Sequence, residues 1–247
     1  MAVYTIGDLH LSHVSGKPMD KFGHRWSGYM EKIDRRWRAL VESDDTVVVP
    51  GDISWAMTLE EAADDLRFID SLPGRKILGK GNHDYWWTTV TKMKKFLSDI
   101  GVTSVDFLLN NAFAAGDGKD RMIVCGTRGW FIDEKLQATP NPTDYEKLIA
   151  REVSRLTHSL SDGAKLRESE KGFESAPLKV FLHFPPVFGD FIVPELISVM
   201  KDYGVQDCYF GHIHGKYALP QTTLHEGIRF TMVSADFIDF YPMKVFV

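Results

Sequence analysis

At 247 residues the chain has the length of one α/β domain, since single cores grow to about 250 residues before chains divide. Hydrophobic residues make up 44% of it and charged residues 26%, ordinary globular usage that excludes a disordered or fibrous protein. A formal net charge of −5 excludes a dedicated duplex-binding surface, which needs a basic excess or stripe. It leaves room for an anionic substrate, because metal ions in a cleft reverse the local field.

Residues 1–6 carry no basic stretch and run at once into Asp8-Leu9-His10, which argues against a secretory leader and predicts a cytoplasmic protein. No apolar run approaches the roughly 20 residues that cross a bilayer, so no membrane partner is expected. Residues 3–7 form a short apolar run ending in Gly7, and similar runs return at 46–51, 76–81, 122–126, 178–183 and 208–211. They predict buried strands whose polar ends emerge on one rim of a sheet. Tyr29, Ile33, Trp37, Leu40 and Val41 keep a helical spacing. A second helix is predicted to open at the capping-box pair Thr58 and Glu61 and to stop at Pro73-Gly74. Val90, Met93, Leu97 and Ile100 make a third stripe, closed by Gly101.

Residues 133–177 turn polar and read as an insertion in a single domain over 1–247, either a lid or a mobile flap. It would hold one amphipathic helix through Tyr145, Leu148, Ile149, Val153, Leu156 and Leu160, then a charged tract at 165–174. Residues 222–247 look like strands joined by turns, so an α/β fold with a mixed sheet is predicted. Cys125 and Cys208 lie in apolar stretches without metal-ligand spacing and predict buried free thiols.

Five segments carry chemistry: Asp8-Leu9-His10 after Gly7, Asp52 after Gly51, Asn82-His83-Asp84 after Gly81, His183, and His212-Ile213-His214 after Gly211. Each ends a predicted strand, where ligands gather in open α/β sheets. In extended backbone, residues i and i+2 point the same way, so Asp8 with His10, and His212 with His214, would face one side while Leu9 and Ile213 face the core. A set of Asp, His and Asn donors suits borderline divalent ions such as Mn, Fe or Zn. Two such ions need a bridging carboxylate, for which Asp52 is the candidate, and keep a residual positive charge that suits a phosphate.

The ordered set resembles the calcineurin-like metallophosphoesterases, and the resemblance runs from Asp8 to His214. It implies a four-layer α-β-β-α sandwich of two mixed sheets flanked by helices. It implies Asp8, His10, Asp52 and His214 on one metal, and Asp52, Asn82, His183 and His212 on the other. It also implies His83 as the general acid for the leaving oxygen, oriented by Asp84. The activity implied is hydrolysis of a small phosphorylated substrate, a phosphomonoester or phosphodiester, by a metal-bridging hydroxide. Protein Ser/Thr phosphatases of this family have Asp where Trp55 stands and Glu where Asp84 stands, which argues against that branch. The chain is also too short for the capping region of the recombination-nuclease branch.

Taken singly, His183 reads as a hydrogen-bonded core histidine, and Asp8 and Asp52 as strand-end caps. Together with the other segments they read as ligands. Arg128 and Trp130, after another strand, are candidate substrate-binding residues, with a guanidinium able to clamp phosphate; a salt bridge is the plainer reading of Arg128. Tyr85, Trp86 and Trp87 would wall the pocket or pack at a helix start. The competing functions are a non-catalytic metal-binding scaffold of the same fold and a nuclease, the latter lacking a basic track.

Overall fold

A computed structural model describes residues 1–130 and 142–246. The first sheet is ordered β13-β1-β2-β3-β4, from Met243–Lys244 (β13), Val3–Thr5 (β1), Thr46–Val49 (β2), Arg75–Gly79 (β3) and Val105–Leu108 (β4). All its neighbours are parallel except β13 on β1. The second sheet is ordered β11-β12-β10-β7-β6-β5. It contains Ala112–Ala115 (β5), Met122–Thr127 (β6), Leu178–Leu182 (β7), Asp207–Phe210 (β10), Thr222–His225 (β11) and Ile228–Met232 (β12). Its inner strands run parallel and its edges β5 and β11 antiparallel, so both sheets are mixed. A two-stranded ribbon, Val187–Phe188 (β8) with Phe191–Ile192 (β9), completes the strands.

The helices are Tyr29–Leu40 (α1), Ala63–Ser71 (α2), Val90–Asp99 (α3), Pro142–Ser169 (α4) and Pro194–Asp202 (α5). The layering follows from strand periodicity. On β2, Val47 and Val49 pack under α1 to α3, while the intervening Val48 faces the second sheet. On β6, Ile123 and Cys125 pack with Leu156 and Leu160 of α4, while Met122 and Val124 join the core between the sheets. Both sheets are thus covered on both faces, which is why their strands read as continuous apolar runs. Tyr29, Ile33 and Trp37 put one buried stripe of α1 on the first sheet. Truncating the fully buried Trp37 to Ala would cost about 3–5 kcal/mol. Lys76, on β3, is buried with no carboxylate within ion-pair distance among the described residues and donates to the Leu72 carbonyl at 2.6 Å, so its ammonium closes the C-terminal end of α2.

Two expectations need correction. The second helix begins at Ala63, and residues 58–62 form turns instead. There Glu61 accepts from the Met57 N–H and not from Thr58, so the capping contacts close a turn before the helix. The helix of the 133–177 segment is no lid: α4 buries Ile149, Leu156 and Leu160 on the second sheet and forms an outer wall of the sandwich. Gly163 lets it approach, since a Cβ there would meet the Cys125 sulfur at 2.5 Å. Residues 133–141 of that segment lie outside the described residues. Cys125 and Cys208 are buried free thiols, as expected, and burial pushes the Cys125 thiol up to about 12.

Candidate metal centre

All five motif segments leave the ends of parallel strands on one rim, from β1, β2, β3, β7 and β10. Their backbone is not extended there, contrary to expectation. Asp8 (φ 58), His10 (φ 47), Asp52 (φ 52) and His212 (φ 70) are all left-handed, a conformation that costs free energy for residues other than Gly. Neighbouring hydrogen bonds hold it: Asp8 N–H donates to the Gly51 carbonyl at 3.0 Å and His10 N–H to the Asp52 carbonyl at 2.9 Å. Leu9 and Ile213 are buried in the core, as expected. The glycines allow close approach: a Cβ on Gly81 would overlap the Asp52 carboxylate, and one on Gly211 the Asp8 carboxylate.

The donor atoms form two groups. His10 Nε2 lies 3.2 Å from His214 Nε2; Asp8 Oδ1 is 3.7 Å from His214 Nε2, and Asp52 Oδ2 is 3.6 Å from His10 Nε2. On the other side, Asn82 Oδ1 lies 2.7 Å from His183 Nε2 and 3.1 Å from His212 Nδ1, while Asp52 Oδ1 is 3.7 Å from His183 Nε2. Asp52 therefore turns one oxygen to each group. Asp8 also lies near both, with His183 Nδ1 3.9 Å from its Oδ1. Asp8, His10 and His214, and likewise Asp8, Asp52 and His183, can bring one ligand atom each within 4.8 Å of the others.

The electrostatics are those of a cation site. Asp8 and Asp52 are buried, and among the described residues no Lys or Arg lies within ion-pair distance of either. Burial pushes the Asp8 carboxyl up to about 6. Burial, with Asp84 and Asp8 nearby, raises Asp52 well above the carboxylate range. Burial lowers His10 and His183 far below an ordinary imidazole. Asp52 Oδ2, His10 Nδ1 and His183 Nδ1 are buried polar atoms without a hydrogen-bond partner. Buried carboxylates without a Lys or Arg partner, beside the His10 and His183 imidazoles that burial disfavours as cations, lack positive charge, which bound divalent ions would provide, so these residues fit a metal centre.

Around the donors, two roles were not legible in the chain, those of Asp84 and Asp236. Asp84 has no contact with the His83 ring. Its Oδ2 accepts from the N–H groups of Asp52 and Gly81 at 2.9 and 2.8 Å. Its Oδ1 accepts from Ile53, Ser54 and the Trp86 indole at 2.9, 3.2 and 3.1 Å. Asp84 therefore clamps the loop that carries Asp52, whatever it does for its neighbour His83. His83 instead has its N–H on Asp52 Oδ1 at 2.8 Å, its Nδ1 3.4 Å from the Tyr85 hydroxyl and its ring 4.2 Å from the Trp55 ring. Burial, then His214 and Lys17, lower the His83 imidazole to about 4.

Asp236, not singled out in the sequence, accepts from His214 Nδ1 at 2.7 Å and also from the Gly215 N–H and the Tyr217 hydroxyl. Burial lowers the His214 imidazole, but the bond to Asp236 and the charge of Asp8 outweigh it and leave it raised. Nothing local to residues 234–236 marks this role, since Asp236 and Asp239 stand three apart in the same largely apolar stretch. Arg128 lies with its guanidinium 5.1 Å over the Phe184 ring, and no carboxylate among the described residues is within ion-pair distance of it. Its carbonyl accepts from the His183 and Phe184 N–H groups. Trp130 packs edge-on to Tyr145 of α4 and near Phe191. Trp86 and Trp87 are core residues, whereas Tyr85 is exposed.

A family model for calcineurin-like phosphoesterases matches residues 1–216. No curated protein sequence matches the chain. Among solved structures, the phosphopantetheinyl hydrolase of Mycobacterium tuberculosis is 16% identical, with a TM-score of 0.55 over 99% of this chain and 95% of that one. The protein TT1561 of Thermus thermophilus is 11% identical, with a TM-score of 0.55 over 95% of this chain and 89% of that one. At these identities the likeness establishes a shared fold.

Proposed function

Because the chain belongs to the calcineurin-like phosphoesterase family and is a metal-dependent phosphoesterase, we propose that it is a dinuclear phosphohydrolase of a phosphomonoester or phosphodiester. Asp8, His10, Asp52 and His214 would hold one ion, and Asp52, Asn82, His183 and His212 the other. The oxygen and nitrogen donors suit Mn, Fe or Zn. Divalent ions held by these residues would supply Lewis acidity toward a phosphoryl group and would lower the pKa of water. The observation that carries this reading is the division of the Asp52 oxygens between the two donor groups, 3.6 Å from His10 and 3.7 Å from His183.

His83 is the general acid that gives the leaving oxygen its proton. Its imidazole, lowered to about 4 by burial and its cationic neighbours, needs a negative partner to hold a proton near neutrality. A bound phosphate supplies that charge, because an opposite charge favours the protonated form. Arg128, with no carboxylate partner among the described residues, holds a phosphate oxygen pair through its planar fork.

The test measures metal content and hydrolysis of bis(p-nitrophenyl) phosphate and p-nitrophenyl phosphate after Mn supplementation. We expect about two ions per chain and activity abolished by chelator. Asp52→Asn should lose metal at both positions. Full metal content in Asp52→Asn, or a fully metallated protein inert toward both esters, would refute the proposal.

A further inference from the structure

The metal centre opens into a cavity of about 390 Å³ lined in part by His10, His83 and His214, with Phe22, Trp26 and Trp55 among its remaining walls. A second cavity of about 240 Å³ shares Phe22 and Trp55 and adds Lys17 and Lys21. Phe22 is 68% exposed, yet it is not an isolated surface ring, because it walls both spaces together with Trp55. Trp55 is fixed from behind, stacked on His10 with ring centres 5.0 Å apart. Lys17 Nζ lies 5.6 Å from the Trp55 ring centre, and neither Lys17 nor Lys21 has a carboxylate within ion-pair distance among the described residues. In a chain of net charge −5, two cations without an ion-pair partner beside these aromatic walls are a local reversal of sign.

The cavity beside the metal centre and the one beside the lysines adjoin at Phe22 and Trp55, so imidazoles, aromatic rings and ammonium groups stand next to one another. Resting on the phosphohydrolase reading above, we propose that these two adjoining cavities bind the organic part of the substrate. A flat aromatic ring lies against Phe22 and Trp55, and a second anionic group reaches Lys17 and Lys21. The substrate class is therefore an organic phosphate that carries a planar ring and a further negative charge, and simple alkyl phosphates fall outside it. Each part meets its complement: the phosphate meets the metals, the ring a face built for stacking, and the second anion two flexible lysines.

The experiment is competition against bis(p-nitrophenyl) phosphate hydrolysis by the Mn-loaded protein, using ethylphosphonate, phenylphosphonate and 4-carboxyphenylphosphonate. Their carbon–phosphorus bonds are not hydrolysed, so inhibition constants report binding alone. We expect phenylphosphonate to bind about tenfold tighter than ethylphosphonate, as one stacked ring provides. The carboxylated ring should bind tighter again at low ionic strength, and that second gain should fade as salt is raised. Phe22→Ala should shrink the first step, and the double variant Lys17→Ala/Lys21→Ala should remove the second step alone. Equal inhibition by all three compounds in a protein that does hydrolyse the ester would overturn the subsite and leave the phosphohydrolase reading standing. A metallated protein inert toward the ester would overturn that reading and the subsite with it.

Discussion

Replacing Asp84 by Asn tests whether the residue after His83 orients that histidine or holds the loop of Asp52. The wild-type carboxylate accepts five hydrogen bonds, two at Oδ2 and three at Oδ1, four of them from backbone N–H groups. An amide has the same shape but only one oxygen, so in either orientation at least two buried N–H donors face an NH₂ group. A buried donor left without a partner costs about 1–3 kcal/mol, which gives roughly 2–6 kcal/mol for the pair. Burial raises the Asp84 carboxyl, so removing its charge recovers part of that cost, and the lower end, about 2 kcal/mol, is the expected loss. Against a typical domain stability of about 5–15 kcal/mol this is measurable. The assay is urea unfolding of the metal-free proteins in excess chelator, read as a lower midpoint at unchanged slope, with metal content measured in parallel. Because Asp52 and Ile53 donate directly to Asp84, metal affinity should fall together with stability. An Asp84→Asn protein with wild-type midpoint and metal content, and with only turnover reduced, would refute the clamp and restore the orienting role.

Asp236→Asn should weaken the ion beside His214 by about 10–100-fold, the usual effect of losing a carboxylate behind a ligating imidazole. Chelator competition would measure it, and unchanged affinity would count against the pairing. Gly81→Ala should lower both stability and metal content, because the added methyl group would overlap the Asp52 carboxylate and the Asp52 backbone nitrogen. Full metal occupancy would contradict that. For Asp70, burial tends to raise the carboxyl, but bonds from the Ser104 hydroxyl and the Ser104 and Thr103 N–H groups outweigh it and leave it lowered from 3.8. A folded pKa below the unfolded one contributes stability above that unfolded value and loses it as pH falls through the folded one. Wild type should therefore exceed Asp70→Asn in unfolding midpoint near neutrality, with the gap closing below about pH 4. A gap that persists undiminished into that acid range would show that the carboxylate's charge is not the source.

What the residues determined alone was the kind of chemistry and the places it could stand. Glycine followed by Asp, Asn or His at the end of an apolar run is a local pattern, and strand period, backbone freedom and ligand type are all local properties. The family order of Asp8, His10, Asp52, Asn82, His183, His212 and His214 could therefore be read without coordinates. Partnership is different, because it depends on distance in the folded chain. His10 meets His214 across a separation of 204 residues, and Asp236 reaches His214 only because the segment after β12 returns to β1 through the Gly7 and Ser234 bridge. The left-handed backbone at Asp8, His10, Asp52 and His212 likewise arises from hydrogen bonds between strand ends that no single strand specifies. The tertiary structure also made α4 a wall and Asp84 a clamp. An amphipathic helix and an acidic residue each admit several partners, and packing alone selects among them.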